Sequence, residues 1–139
     1  MRDDVRQALT ITDTSTMEER TIDITTTGRR RGQPRRIEIV YQLDGDVYLS
    51  GIPAPTARPW LANLAADPRF TFHLKHGAVA DLPATARVIT DPVERRRVLS
   101  LFVVQFNRRR ELDSSWPEAV LDEWVEYSPL AKVTFVEAD

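Results

Sequence analysis

Between Arg20 and Ser50 apolar and polar residues alternate with a period of two, and no other stretch constrains the fold as strongly. Ile22, Ile24 and Thr26 alternate with Thr21, Asp23 and Thr25, and β-branched residues dominate, so one face of an extended strand has to be buried. That strand ends at Gly28. After an arginine-rich loop, Ile37, Ile39, Tyr41 and Leu43 alternate with Arg36, Glu38, Val40 and Gln42, which predicts a second strand of similar length. Asp44-Gly45 then marks a two-residue hairpin connection of the primed type, which needs residues that tolerate positive φ. Asp46 to Ser50 is the third strand.

The remaining strands have to come from downstream. A Pro-rich connection (Pro53, Pro55, Pro59) leads into a short helix with Trp60, Leu61 and Leu64 on one face, stopped by Asp67-Pro68. Phe70, Phe72 and Leu74 alternate in a fourth strand, which is expected to pair with a fifth running from about Val79 to Ile89. Asp91-Pro92-Val93-Glu94 is a helix start, with Asp91 as N-cap, Pro92 at the first position and Glu94 reaching back as in a capping box. That helix is expected to run to about Phe106 with Leu99, Phe102, Val103 and Phe106 on its apolar face, and Arg108-Arg109-Arg110 near its C-terminal end suits the helix dipole. Ser115-Trp116-Pro117-Glu118 repeats the start signal for a helix carrying Val120, Leu121, Trp124 and Val125 and ending near Tyr127, before a last strand with Ala131, Val133 and Phe135. Residues 2–9 form a short amphipathic helix through Val5, Ala8 and Leu9, too short to be stable without docking. With no repeat and no Gly/Ser linker, residues 1–139 read as a single domain of α+β class, mainly β. About six antiparallel strands close into a small barrel with short helices packed outside.

Several chemistries are excluded or disfavoured. There is no cysteine, so neither a disulfide nor a thiolate site is possible, and a reducing cytoplasm is the expected compartment. No apolar run approaches the roughly 18 to 20 residues that cross a bilayer, and Met1-Arg2-Asp3-Asp4 is the reverse of a signal peptide. Phosphate-loop, dinucleotide-fold, nucleophile-elbow and His-Glu-x-x-His motifs are absent. His73 and His76 are three apart across strand and turn, which places them on opposite faces, so no metal is expected; neither has a persuasive serine and acid beside it.

Basic residues are distributed unevenly. The net charge is −2, which argues against nucleic-acid binding, yet five arginines (Arg29, Arg30, Arg31, Arg35, Arg36) fall between residues 28 and 36 with no acid among them. Two readings are open for Gly28-Arg29-Arg30-Arg31-Gly32-Gln33-Pro34-Arg35. It is either a solvated basic hairpin tip or an anchor for phosphate or carboxylate, because arginine offers planar paired donors and the flanking glycines permit close backbone approach.

Thr25-Thr26-Thr27-Gly28-Arg29-Arg30-Arg31-Gly32-Gln33-Pro34-Arg35, then Asp44-Gly45-Asp46-Val47-Tyr48, then Pro59-Trp60-Leu61-Ala62-Asn63-Leu64-Ala65-Ala66-Asp67-Pro68, then Ala84-Thr85-Ala86-Arg87 resemble the deazaflavin-dependent nitroreductase family in order and spacing over residues 21–99. The resemblance implies a split β-barrel that binds coenzyme F420, a hydride carrier whose side arm bears a phosphate and a glutamate tail. It places Arg29, Arg30 and Arg35 on that arm, Trp60 and Asn63 beside the coenzyme, and Ser50-Gly51 where backbone approaches the ring. Ile52-Pro53-Ala54-Pro55 departs from the family's longer Ser, Lys and paired-glycine segment, with Arg58 as a possible substitute; Leu61 and Glu38 also depart. Tyr127 is the one tyrosine near the place where relatives carry substrate-facing ones, and is the candidate proton donor beside water.

The implied reaction is hydride transfer from reduced deazaflavin to a small-molecule electron acceptor such as a quinone, a nitroaromatic or an activated alkene. The alternatives are an FMN-binding reductase on the same barrel and a non-catalytic module binding the cofactor or a hydrophobic ligand. Either monomer or homodimer is compatible with the sequence.

Overall fold

A computed structural model describes residues 1–55, 58–115 and 117–136. Six strands, β1 (Thr21–Thr27), β2 (Pro34–Asp44), β3 (Asp46–Ser50), β4 (Arg69–Leu74), β5 (Ala80–Val88) and β6 (Leu130–Phe135), close into a barrel in the order β1-β2-β3-β6-β5-β4, with every pairing antiparallel. Four helices lie outside it: α1 (Asp3–Leu9), α2 (Pro59–Ala66), α3 (Pro92–Leu112) and α4 (Leu121–Tyr127). A 3₁₀ turn at Glu18–Arg20 leads into β1. Among the described residues no helix is long and apolar enough to cross a membrane.

The alternation read from the sequence is the burial pattern of the barrel. Ile22, Ile24, Tyr41, Leu49 and Phe72 are fully buried in one core, where Phe72 meets Tyr41 and Phe135 edge-on at centroid separations of 5.7 and 5.2 Å. Such contacts add about 0.5 to 1.5 kcal/mol per pair to the burial itself. A second core lies outside the barrel, between Tyr48 and Leu130 on the sheet and Val98, Leu99, Phe102 and Trp124 on α3 and α4. The short α1 is docked as its length requires: Val5 and Leu9 enter the barrel core, and the buried Tyr41 hydroxyl donates to the Leu9 carbonyl at 2.9 Å.

Local readings differ from the structure at four places. The β2–β3 pairing extends to Asp44↔Asp46 with Gly45 alone at the apex (φ 73°), so the expected two-residue connection is tightened to a single bridging glycine. Helix α3 continues past Phe106 to Leu112, because Asn107 exchanges hydrogen bonds with the backbone of Ala119 (2.8 and 3.1 Å) and Phe106 packs edge-on against Trp124, which gives the extra turns a partner. At the start of α3, Asp91 caps the Glu94 N–H as expected (2.9 Å), but the Glu94 carboxylate accepts from the Tyr48 hydroxyl (2.9 Å) rather than returning to the cap. Helix α4 begins at Leu121, later than the Ser-Trp-Pro-Glu signal suggested; Trp116 of that signal lies outside the described residues.

Arg95 joins the outer layer to the barrel. Its guanidinium donates to the carbonyls of Val125 (2.9 Å), Ile89 (3.1 Å) and Ser128 (2.7 Å), closing the end of α4 onto α3 and onto the chain entering β6. Arg95→Ala leaves these acceptors without their donor, and since an unmet buried polar group costs about 1 to 3 kcal/mol, a loss of roughly 2 to 4 kcal/mol is expected. Urea denaturation should show it as a lower midpoint at unchanged slope.

A second expectation concerns acid. Lys75 and then Arg36, at 2.8 and 2.9 Å, hold the Asp23 carboxyl below its usual range. A depressed folded-state pKa gives stability that is present above the unfolded value of about 3.9 and is lost as pH falls through the folded value. Below about pH 4 the wild type should therefore lose stability more steeply than Asp23→Asn, in denaturation followed across pH.

Candidate functional site

The arginine loop bridges β1 and β2 and is held by its own backbone. Gly28 N–H donates to the Gln33 carbonyl (2.8 Å) and Gly32 N–H to the Gly28 carbonyl (2.9 Å). A Cβ on Gly28 would stand 3.0 Å from the Gln33 oxygen, and Gly32 has φ 67°, so both ends of the loop require glycine. The third support comes from α2. Asn63, only 4% exposed, accepts from the Arg29 N–H through Oδ1 and donates to Thr26 Oγ1 through Nδ2, both at 3.1 Å.

Two cavities meet beside this loop. The first, about 420 Å³, is lined by Arg29, Arg30, Arg31 and Arg35 together with Asn63, Trp60 and Ile37. Arg36 next door is paired with Asp23, whereas the four lining arginines form no ion pair among the described residues. The second, about 330 Å³, shares Trp60 and Ile37 with the first and runs between the outer side of β2 and the helices α3 and α4. Its walls are mainly apolar: Ile39, Val40, Ile52, Phe102, Phe106 and Trp124, with Ser50-Gly51 at the end of β3. Both volumes fall in the range of small-molecule sites. A wider depression of about 640 Å³ continues from Ile52, Phe106 and Trp124 past Pro53, Pro117 and Ala119.

Residues 4–121 match the F420H2-dependent quinone reductase family. The chain belongs to that family. It is thus an oxidoreductase of an F420-dependent group, as the motifs implied. Solved structures share the fold at low identity. An F420-H2 dependent reductase (FDR-A) is 18% identical, with 83% of this chain and 94% of that one covered at a TM-score of 0.54. A conserved hypothetical protein of Mycobacterium tuberculosis is also 18% identical, with 99% and 82% covered at 0.63. A domain-swapped dimer is 17% identical, with 88% and 90% covered at 0.54. No curated protein matches the chain.

F420 combines an anionic arm with a flat ring, and the residues present fit both parts: four arginines free of carboxylates, then an apolar cavity that begins at Trp60. The seven residues that the resemblance assigns to the coenzyme are brought together here. Arg29, Arg30, Arg35 and Asn63 line the basic cavity, Ser50 and Gly51 the apolar one, and Trp60 both. Two of these side chains also have structural work. Trp60 is 8% exposed and belongs to the barrel core, and the Ser50 hydroxyl donates to the Pro129 carbonyl at 2.6 Å. Tyr127, at the end of α4, is 54% exposed and lines neither cavity.

Two of the lining residues carry no functional signal in the sequence. Arg20 reads as the start of a strand and Gln42 as an outward residue; both are buried and line the apolar cavity. Arg58 also lines it, donating to the Ile52 carbonyl (2.9 Å) while its buried Nε meets no acceptor among the described residues. His73, for which no serine and acid had been found, lies between Thr25 Oγ1 and Asp81 Oδ1, each at 2.7 Å. This row resembles a hydrolytic relay, but Thr25 sits mid-strand with a neighbour on either side, so the nearby amides are committed to the sheet and cannot serve an oxyanion.

Asn63→Ala should leave the barrel intact and release the loop. With one buried donor and one acceptor lost, a cost of about 1 to 3 kcal/mol is expected, together with faster hydrogen exchange at the Arg29 amide than at the amides of β4.

Proposed function

We propose that this chain transfers a hydride from reduced F420 to an electron-poor small molecule, a quinone, a nitroaromatic or an activated alkene. The observation that carries the reading is the junction of a basic cavity and an apolar one at Trp60 and Ile37, which suits a molecule anionic at one end and flat at the other.

When bound, reduced deazaflavin supplies the hydride; the chain's residues bind, orient and exclude water. Arg29, Arg30 and Arg35 would hold the phosphate and the glutamate tail, with forked donors suited to both groups. Asn63 keeps the loop amides in register with α2, so the arginines are positioned before any ligand arrives. Trp60 and the Ser50-Gly51 backbone would bound the ring, and Ile39, Phe102, Phe106 and Trp124 would exclude water from the cavity. Solvent supplies the proton that completes reduction, because Tyr127 lies outside both cavities. The site is built from one chain, so monomer and homodimer would both be active.

Titration with F420, followed by intrinsic tryptophan fluorescence, tests this reading directly. Saturable micromolar binding is expected, and Arg29→Ala or Arg35→Ala should weaken it at least tenfold, since truncating one partner of a desolvated charge pair costs about 2 to 5 kcal/mol. Unchanged affinity in both variants would overturn the anchor. A yellow protein that binds FMN and ignores F420 would point to a flavin enzyme on the same barrel, and F420 binding without turnover of any acceptor to a binding module. Tyr127→Phe is expected to turn over at the wild-type rate.

A further inference from the structure

Arg20 is the most deeply buried cation among the described residues, and the binding of an F420-like arm does not use it. It is 2% exposed and lines the apolar cavity, on the wall made by the 3₁₀ turn and β2. Its guanidinium donates to three neutral oxygens: the Ser15 carbonyl at 3.2 Å, Gln42 Oε1 at 3.0 Å and the Thr12 carbonyl. A guanidinium has five N–H groups, so two remain. Among the described residues Arg20 makes no ion pair. Burial pushes its pKa down, with Arg108 adding to the shift, while Asp13 and then Tyr41 and Glu19 oppose it. A charge that is desolvated and paired only with neutral groups is costly, and an anionic or strongly electron-rich ligand would offset that cost.

We propose that Arg20, held by Gln42, is the electrostatic recognition residue for the acceptor, donating to the acceptor oxygen on which negative charge develops. This rests on the hydride-transfer reading: the acceptor has to lie against the ring, and the cavity whose Trp60 and Ser50-Gly51 would bound the ring is lined by Arg20 as well. The chemistry of a quinone fits the placement. Addition of one hydride delivers two electrons and one proton, leaves negative charge on a quinone oxygen, and is completed to the hydroquinone by one proton from solvent. Arginine does not give up its own proton, so Arg20 acts as a fixed N–H donor and not as an acid. Gln42 is the positioning residue: its Oε1 fixes the guanidinium while adding no charge that would cancel it.

The consequence can be read in binding, with no cofactor present. The probes are two naphthoquinones of similar size, 2-hydroxy-1,4-naphthoquinone, an anion at neutral pH, and the neutral 2-methyl-1,4-naphthoquinone, each titrated against the full chain by tryptophan fluorescence. Wild type should prefer the anion at least tenfold. Gln42→Glu gives Arg20 a carboxylate partner without removing the guanidinium, so the fold is kept and the preference should be lost. Arg20→Lys, which keeps the charge, should retain the preference. Equal affinity of wild type for the two quinones, or a preference that survives in Gln42→Glu, would overturn the proposal. F420 is titrated in parallel: if wild type fails to bind it, the cofactor reading falls, and the naphthoquinone comparison still decides the role of Arg20.

Discussion

Closure of the barrel governs where a ligand can go. Each of the six strands has a neighbour on both sides, and the interior is filled by Ile22, Ile24, Tyr41, Leu49 and Phe72. The main-chain groups of the strands are spent on one another, and the inward side chains on packing. Binding surface has to be made outside, where other elements lie across the sheet. Both cavities arise in this way, one where the β1–β2 loop faces α2, the other where α3 and α4 stand off the outer side of β2.

Charge on that outer surface is sorted. Asp23 is shared by Arg36 and Lys75, Asp44 pairs with Arg97, Asp122 with Arg96 and Asp46 with Lys132. These exposed or half-exposed pairs contribute little to stability. Their larger effect is to cancel charge elsewhere, so that a chain of net charge −2 still carries four arginines without ion pairs, among the described residues, at the loop.

Much of this architecture was legible in the sequence because it rests on short-range rules. Period-two alternation placed β1 to β4, the Asp-Pro start placed α3, and the glycines flanking the arginines marked a loop that needs unusual backbone. The residues that the resemblance assigns to the coenzyme share a single neighbourhood. What stayed hidden depends on contacts distant along the chain. Arg20 and Gln42 read as ordinary strand residues, since alternation tells inside from outside the barrel and is silent on which outside positions another element will cover. The extra length of α3 depends on Asn107 meeting Ala119 across a connection that carries no periodic signal. The row Thr25, His73 and Asp81 is assembled by the register of three strands, which no local pattern encodes.

Asn63 separates two properties of the site that are usually entangled. It fixes the arginine loop through the main-chain amide of Arg29 and the hydroxyl of Thr26. The position of the loop is therefore set by glycines, one asparagine and one threonine, while the charge it presents is carried by side chains that none of these hydrogen bonds involves. Such a loop behaves as a replaceable cassette: substitution at Arg29, Arg30 or Arg31 can change the charge it presents without moving the main chain that presents it.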